Sequence, residues 1–268
     1  MKKIKVHCSW DLEVNLFHER QLELWVDKFP GSQRSNGSVH IGVLIEPKEI
    51  RNIMGLSSDI SSYDYALTHD QSLLDNNSNS FLYEFGGCWV KDYDQSTDKV
   101  FGVSTLIGGK QMTPGHSLRT SILNNKNSLS IPKTIWISRN YPPRNNPDND
   151  PILQGSKKDM FDRQFHICIE NVKRKNWFTE KLLDCLHTRT VPIYYGCPNI
   201  GDWFDIKGFI IVETLEDIIR ECNKLTPEIY QKMEPYIEEN YNRAQLYSNV
   251  GENIKRSIET NIIPLINK

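Results

Sequence analysis

Residues 165–196 read FHICIENVKRKNWFTEKLLDCLHTRTVPIYYG, and the hydrophobic period changes twice within them. Phe165 to Ile169 is a short apolar run with β-branched residues, the pattern of a strand buried on both faces. It ends on Glu170 and Asn171. After the basic run Lys173-Arg174-Lys175 the period becomes helical, with Leu182, Leu183 and Leu186 on one apolar stripe. Val191 to Tyr195, closed by Gly196, is the next strand. Strand, loop, helix and strand in so short a span predict a βαβ unit with a right-handed crossover. Its loop opens at the carboxyl edge of a parallel sheet, where open α/β sheets bind ligands.

Thr179, Glu180 and Lys181 stand where this helix begins. Free backbone N–H groups and the positive end of the helix dipole favour an anion there, by roughly 0.3–1 kcal/mol per charge. Lys181 adds a full charge for a phosphate, and Glu180 can accept hydrogen bonds from ribose hydroxyls. The same residues also fit an ordinary helix start, as N-cap, first-turn acid and solvated cation. The pattern alone leaves both readings open.

Glu170-Asn171, then Phe178-Thr179-Glu180-Lys181-Leu182, then Val191-Pro192-Ile193-Tyr194-Tyr195-Gly196 resemble the donor-binding signature of the α1,3-fucosyltransferases. In that family EN is followed by an aromatic residue, an apolar or aromatic residue, TEKL, and then VPV and a glycine. The resemblance is firmest over residues 165–212, and traces reach back to about residue 64. It implies an α/β fold of the GT-B kind, two doubly wound, Rossmann-like parallel-sheet domains facing a cleft. The C-terminal half would hold a nucleotide sugar and the N-terminal half would offer acceptor and base. Short relatives of this kind occur in large viruses and phages, and the chain looks like one of them. Trp177-Phe178 stands in place of the family's usual pair before TEK and the N-terminal half shows little fucosyltransferase character, so the donor stays open between GDP-fucose and a UDP-pentose such as UDP-xylose.

The 268 residues suffice for one large or two small cores, and 38% hydrophobic with 25% charged residues is the composition of a soluble globular protein. A formal net charge of −2 gives no field that would recruit nucleic acid. The six cysteines form no CxxC pair, so buried thiols in a reducing compartment are expected. The basic start MKKIKVHCSW lacks an apolar core of signal length, and no apolar run reaches about eighteen residues. A cytoplasmic protein without membrane anchor is expected, in the host cytoplasm if viral.

Along the chain, Ile4 to Trp10 alternate as a strand and Leu16 to Phe29 carries helical spacing through Leu22, Leu24 and Trp25. Ile41 to Ile45 and Tyr65 to Thr68 read as strands, Lys48 to Leu56 as a short helix, and Phe81 to Phe85 as a further strand before Gly86-Gly87-Cys88-Trp89. The polar stretch Lys91 to Lys99 separates this half from a second series beginning at Val100 to Leu106. The expected division is an acceptor-side domain over 1–95, a donor domain over 96–247, and a C-terminal helix over 248–268 that packs back on the first domain. Tyr141 to Lys158, with PPRNNPDNDP at its centre, reads as a surface loop.

For the donor, Gly108 and Gly109 leave a strand and let a backbone approach a ligand, and Arg119 follows on the next helix. Arg119, Lys181 and the helix start at Thr179 are assigned to the leaving diphosphate, with Glu170, Asn171, Glu180 and Tyr195 around the nucleotide. Arg119 as an exposed helix cation and Tyr195 as a half-buried aromatic are the ordinary alternatives. A metal would need paired acids; Asp92-Tyr93-Asp94 and Asp148-Asn149-Asp150 are read as solvated turns, so no metal and no cofactor is expected. Inverting transfer to a glycan hydroxyl needs a base, and carboxylates at strand ends qualify: Asp70 first, Glu46 second, with His69 a poorer third. Two other classes compete. One is a non-catalytic nucleotide- or glycan-binding protein of the same fold; the other is a metal-dependent transferase using a DxD pair.

Overall fold

Two parallel sheets are built from short runs of Val, Ile and Leu, whose branched side chains suit a pleated surface covered on both sides. The computed structural model describes residues 1–30, 34–56, 59–90, 93–95, 98–139, 148 and 150–268. The chain divides into two units. The first comprises Met1–Gly86, Arg174–Trp177 and Asn249–Lys268, the second Gly87–Lys173 and Phe178–Ser248.

In the first unit β1 (Lys2–Lys3) precedes β2 (Lys5–His7), and β3 (Phe17–His18) pairs antiparallel with β1. β4 (Leu22–Val26), β5 (Val39–Leu44), α1 (Lys48–Ile53), β6 (Tyr65–Thr68), α2 (Gln71–Asn76) and β7 (Ser80–Leu82) follow. The five-stranded parallel sheet runs β2-β4-β5-β6-β7. From β5 to β7 each step moves the same way, so the right-handed crossovers after β5 and β6 fall on one face. There Ile60, Tyr63 and Leu73 pack on Trp25, Leu44 and Ala66. Gly42 permits this, since a Cβ at that position would lie 2.6 Å from the Tyr63 ring.

The helix expected over Leu16 to Phe29 is instead two strands, β3 and β4. All five residues of β4 are buried. Leu22, Leu24 and Val26 face one side, while Glu23 and Trp25 are buried on the other against His7 and His40. Burial on both faces erases the alternation that marks a strand, and the remaining apolar spacing imitates a helix.

The second unit contains β8 (Val100–Ile107), α3 (Pro114–Asn124), β9 (Lys133–Ile137), β10 (Arg163–Ile169), α4 (Glu180–His187), β11 (Val191–Tyr195), β12 (Ile210–Ile211), α5 (Leu215–Cys222) and α6 (Pro227–Ala244). Its parallel sheet runs β12-β11-β10-β8-β9. Phe165, Ile167 and Ile169 of β10 face Ile122 of α3, Ile218 of α5 and Ile237 of α6. Cys168 and Tyr194 face Leu182, Leu183 and Leu186 of α4 on the other side. Burying each of those leucines stabilises the fold by about 1.5–3 kcal/mol. The strand order turns back between β8 and β10, which sends α3 and α4 to opposite faces.

Finally α7 (Val250–Asn261) and α8 (Ile263–Ile266) belong to the first unit. Ile254, Ile258 and Ile262 cover Leu22, Leu24, Val26, Ile41 and Val43 on the sheet face opposite α1 and α2, where Leu12, Val14 and Leu16 of the β2–β4 connection also pack. Among the described residues the cysteines are free thiols, and no helix is long and apolar enough to cross a membrane.

Candidate functional site

A cavity of about 470 Å³ opens at the carboxyl edge of β8, β9 and β10, where the strand order of the second unit reverses. Gly108, Arg119, Glu180 and Lys181 line it, four of the residues singled out in the sequence. Trp89, Ser138, Arg139, Lys157, His166 and Asp184 add polar and aromatic wall, with Leu106, Leu153, Met160 and Phe161 as apolar surface.

Arg119 is half-buried and held by Nη2, which donates to the Ile169 carbonyl and to Asn171 Oδ1, each at 2.7 Å. Burial pulls its pKa down while the Glu170 and Glu180 carboxylates oppose the shift. The start of α3 lies against the end of β10: Gly115 N–H donates to the Asn171 carbonyl at 3.0 Å, and a Cβ on Gly115 would stand 1.9 Å from the Glu170 carbonyl oxygen. Only glycine allows this approach, which sets Arg119 one turn further on.

Glu170 is wholly buried and holds the start of α4. Its carboxylate accepts from Thr179 N–H at 2.8 Å and lies within hydrogen-bond reach of the Thr179 hydroxyl. Thr179 Oγ1 in turn accepts from Lys181 Nζ at 3.1 Å and Lys181 N–H at 3.3 Å. Lys181 Nζ also stands 3.3 Å from Glu180 Oε1 and 3.7 Å from Glu170 Oε2. Burial raises the Glu170 pKa against the pull of Lys181. Burial would lower that of Lys181, but Glu180 and Glu170 outweigh it and the pKa rises. Burial likewise acts against ionised Glu180, and Lys181 with Lys157 overcomes it, leaving that carboxyl below its usual range. Thr179 N–H is thus already occupied by Glu170, so positive charge at the cavity comes from the ammonium and guanidinium side chains.

Glu170, Asn171 and Thr179 therefore stand behind the wall and fix Arg119 and Lys181. Gly109 is exposed and Tyr195 packs on the α3 and α5 face, and neither lines the cavity. Lys173 pairs with Glu213 and lies 5.7 Å from the Tyr195 ring. Lys126 takes the carboxylates of Asp148, at 3.0 Å, and Asp150, so these acids are spent on a lysine. Asn149 and Asp92 lie outside the described residues.

Sequence reasoning missed Trp89, Lys157, His166 and Asp184. Lys157 Nζ sits 4.1 Å above the Trp89 ring, 3.6 Å from Asp184 Oδ2 and 3.8 Å from Glu180 Oε1. Lys157, with Leu153 and Gly155, belongs to the stretch expected to be a surface loop; the tail of that stretch instead lines the cavity. His166 Nδ1 is 2.8 Å from Ser104 Oγ, whose hydroxyl donates to the Met160 carbonyl. That arrangement puts the ring proton on Nδ1, and burial with the nearby Lys157 and Lys99 pushes the His166 pKa down to about 3. A single strand histidine carries no periodic or motif signal by which to find it.

In the first unit Asp70 is the N-cap of α2: Oδ1 accepts from Ser72 N–H at 2.9 Å, and Oδ2 lies 3.6 Å from Arg174 Nη1. Arg174 also pairs with Glu49, so it too is committed to carboxylates. Glu46 follows β5, and its N–H donates to the Asp27 carboxylate, itself 2.6 Å from Arg51. His69 is buried, its ring 6.1 Å from that of Trp177, whose Nε1 donates to the Ile45 carbonyl at 3.0 Å. Burial and Arg174 push the His69 pKa down to about 4. All three base candidates thus stand at the carboxyl edge of β5 and β6.

The fold is that of the GT-B glycosyltransferases, α/β with two Rossmann-like units. A solved α1,3-fucosyltransferase with GDP-fucose superposes with a TM-score of 0.54 at 15% identity, covering 90% of this chain and 79% of that one. TarM superposes with a TM-score of 0.52 at 12% identity, covering 92% of this chain and 55% of that one. In sequence the chain is similar to the α1,3-fucosyltransferase FucT of Helicobacter pylori, 33% identical over 54 residues, 20% of this chain and 11% of the relative. It is 31% identical over 109 residues to the GDP-fucose protein O-fucosyltransferase 3 of Xenopus laevis, 35% of this chain and 23% of the relative. The matches thus span a quarter or less of these relatives' lengths. No family model matches the chain.

Proposed function

We propose that the protein is an inverting glycosyltransferase that moves a sugar from a GDP- or UDP-linked donor, GDP-fucose or a UDP-pentose such as UDP-xylose, to a glycan hydroxyl. The observation that carries this reading is the convergence of Arg119, Lys181, Glu180 and Gly108 on one cavity at the strand-order reversal. As the glycosidic bond breaks, negative charge grows on the departing diphosphate, and the cations held by Glu170, Thr179 and Asn171 are preorganised to meet it. Glu180 is placed to accept from ribose hydroxyls. On the acceptor side Asp70, or Glu46 on the neighbouring strand, takes the hydroxyl proton. Charge neutralisation by side chains makes metal unnecessary in this scheme.

Release of nucleoside diphosphate from a panel of nucleotide sugars with mixed oligosaccharide acceptors, with and without EDTA, tests the proposal. One donor should turn over equally in both conditions. Turnover that EDTA abolishes would replace the scheme with a metal-dependent one, and diphosphate binding without turnover of any donor would favour a binding protein.

A further inference from the structure

We propose that Asp184, Lys157 and Trp89 form the subsite for the donor's nucleobase, with Asp184 Oδ2 accepting the ring N–H and Lys157 donating to the adjacent carbonyl. The inference rests on the nucleotide-sugar reading above and deepens it: guanine and uracil, the two bases left open, share that N–H and carbonyl edge.

Asp184 lines the cavity with its side chain 1% exposed. Its two oxygens are used very differently. Oδ1 accepts from Trp89 N–H at 2.7 Å, Val90 N–H at 3.2 Å and Cys88 Sγ at 3.2 Å. Oδ2 is buried without a hydrogen-bond partner among the described residues. The nearest cation, Lys157 Nζ, is 3.6 Å away, too far for a good hydrogen bond. That ammonium also stands 3.8 Å from Glu180 and is held over the Trp89 ring at 4.1 Å. A buried acceptor and a charged donor thus lie side by side, both short of a close partner, in a cavity where Leu106, Leu153, Met160 and Phe161 supply apolar surface. Native interiors rarely leave such an acceptor unmatched without a ligand or function to explain it. A planar heterocycle supplies what is missing: its flat faces suit the aromatic and apolar wall, its N–H reaches Oδ2, and its carbonyl accepts from Lys157.

The test is calorimetry of GDP, UDP, their ring-N-methylated forms (1-methyl-GDP and 3-methyl-UDP) and inorganic pyrophosphate. Methylation removes the N–H and leaves the phosphates alone. Wild-type protein should bind GDP or UDP at least roughly tenfold more tightly than its methylated form. Asp184→Asn keeps an oxygen for the Trp89 and Val90 N–H groups and puts an NH₂ where Oδ2 stood. It should weaken the parent nucleotide by a similar factor, erase the difference between parent and methylated forms, and leave pyrophosphate binding unchanged. Lys157→Met should weaken GDP or UDP more than pyrophosphate. Equal binding of parent and methylated nucleotides by wild-type protein, a comparison independent of whether any variant folds, overturns this subsite alone. Failure of GDP, UDP and pyrophosphate all to bind overturns the nucleotide-sugar reading and this inference with it.

Discussion

In the second unit the strand order turns back between β8 and β10, whereas in the first it runs β2, β4, β5, β6, β7 without reversal. Reversal sends the following helices to opposite faces, and the gap between their starts is the cavity that Arg119 and Lys181 line. One-directional winding keeps the loops after β5 and β6 on the same face. There the polar groups turn on one another: Asp70 caps α2 and meets Arg174, and the Glu46 N–H meets Asp27. In the proposed scheme the reversed edge takes the extended donor, and the one-way edge supplies a single carboxylate at a fixed place. That contrast suits a donor site in one unit and a proton acceptor in the other.

The strongest way to break this division is at the proton acceptor. Asp70→Asn should lower transfer about a hundred-fold or more with donor affinity nearly intact. Glu46→Gln, measured beside it with one acceptor, decides between them: near-normal turnover in Asp70→Asn with collapse in Glu46→Gln moves the role to Glu46. Normal turnover in both removes the first unit from the chemistry.

Lys181→Ala and Arg119→Ala should each weaken nucleoside diphosphate by about 1.5–3 kcal/mol, the value of a charge-assisted hydrogen bond, and leave the free nucleoside nearly unaffected. Wild-type affinity for the diphosphate in both variants would detach the cavity from phosphate. Gly115→Ala probes the same wall from behind. Its methyl group would stand 1.9 Å from the Glu170 carbonyl, so α3 must shift, at about 1–3 kcal/mol of stability by chemical denaturation. The shift carries Arg119 with it, and diphosphate affinity should fall in parallel. An unchanged unfolding midpoint would mean the contact relaxes without cost.

How much of this was legible follows from the type of signal. The βαβ unit over 165–196 announced itself because a short apolar run, a helical stripe and a second strand succeed each other with fixed polar punctuation. Glu180 and Lys181 came with it. The strand at Leu22–Val26 was illegible because Glu23 and Trp25 are buried by partners distant in sequence, among them His7 and His40. Asp184 and Lys157 were hidden for another reason. Asp184 sits in the amphipathic stripe of α4, and Lys157 follows a proline-rich stretch, so each reads as a solvated charge until the fold joins them.

Buried histidines give each unit its own pH signature. His69 and His166 stay neutral with pKa values near 4 and 3, below the 6.5 of a free histidine, so on acidification the unfolded chain binds protons that the folded chain refuses. Stability should therefore fall as pH drops below about 6.5, by up to about 1.4 kcal/mol per pH unit for each histidine, until each folded-state pKa is reached. Thermal unfolding of His69→Gln and His166→Gln between pH 7 and 4 checks this. Each variant should lose part of the wild-type slope, and a slope unchanged in both would mean the rings take up protons in the folded state.

The smallest expected effect sharpens the division inside the proposed donor site. Glu180 is tied by Lys181 at 3.3 Å and faces Lys157 at 3.8 Å, which keeps it ionised and an acceptor. Glu180→Gln preserves shape and one acceptor oxygen but removes the charge, so ribose recognition should weaken by only about 1 kcal/mol. The informative comparison is between the normal diphosphate and its 2′,3′-dideoxy form. If the carboxylate accepts from the ribose hydroxyls, the substitution weakens the normal ligand and barely touches the dideoxy one. If Glu180 serves instead to position Lys181, both ligands weaken alike because the common loss is at phosphate. The two results assign the residue to ribose or to the lysine, and either way phosphate contacts made by Arg119 should survive the change.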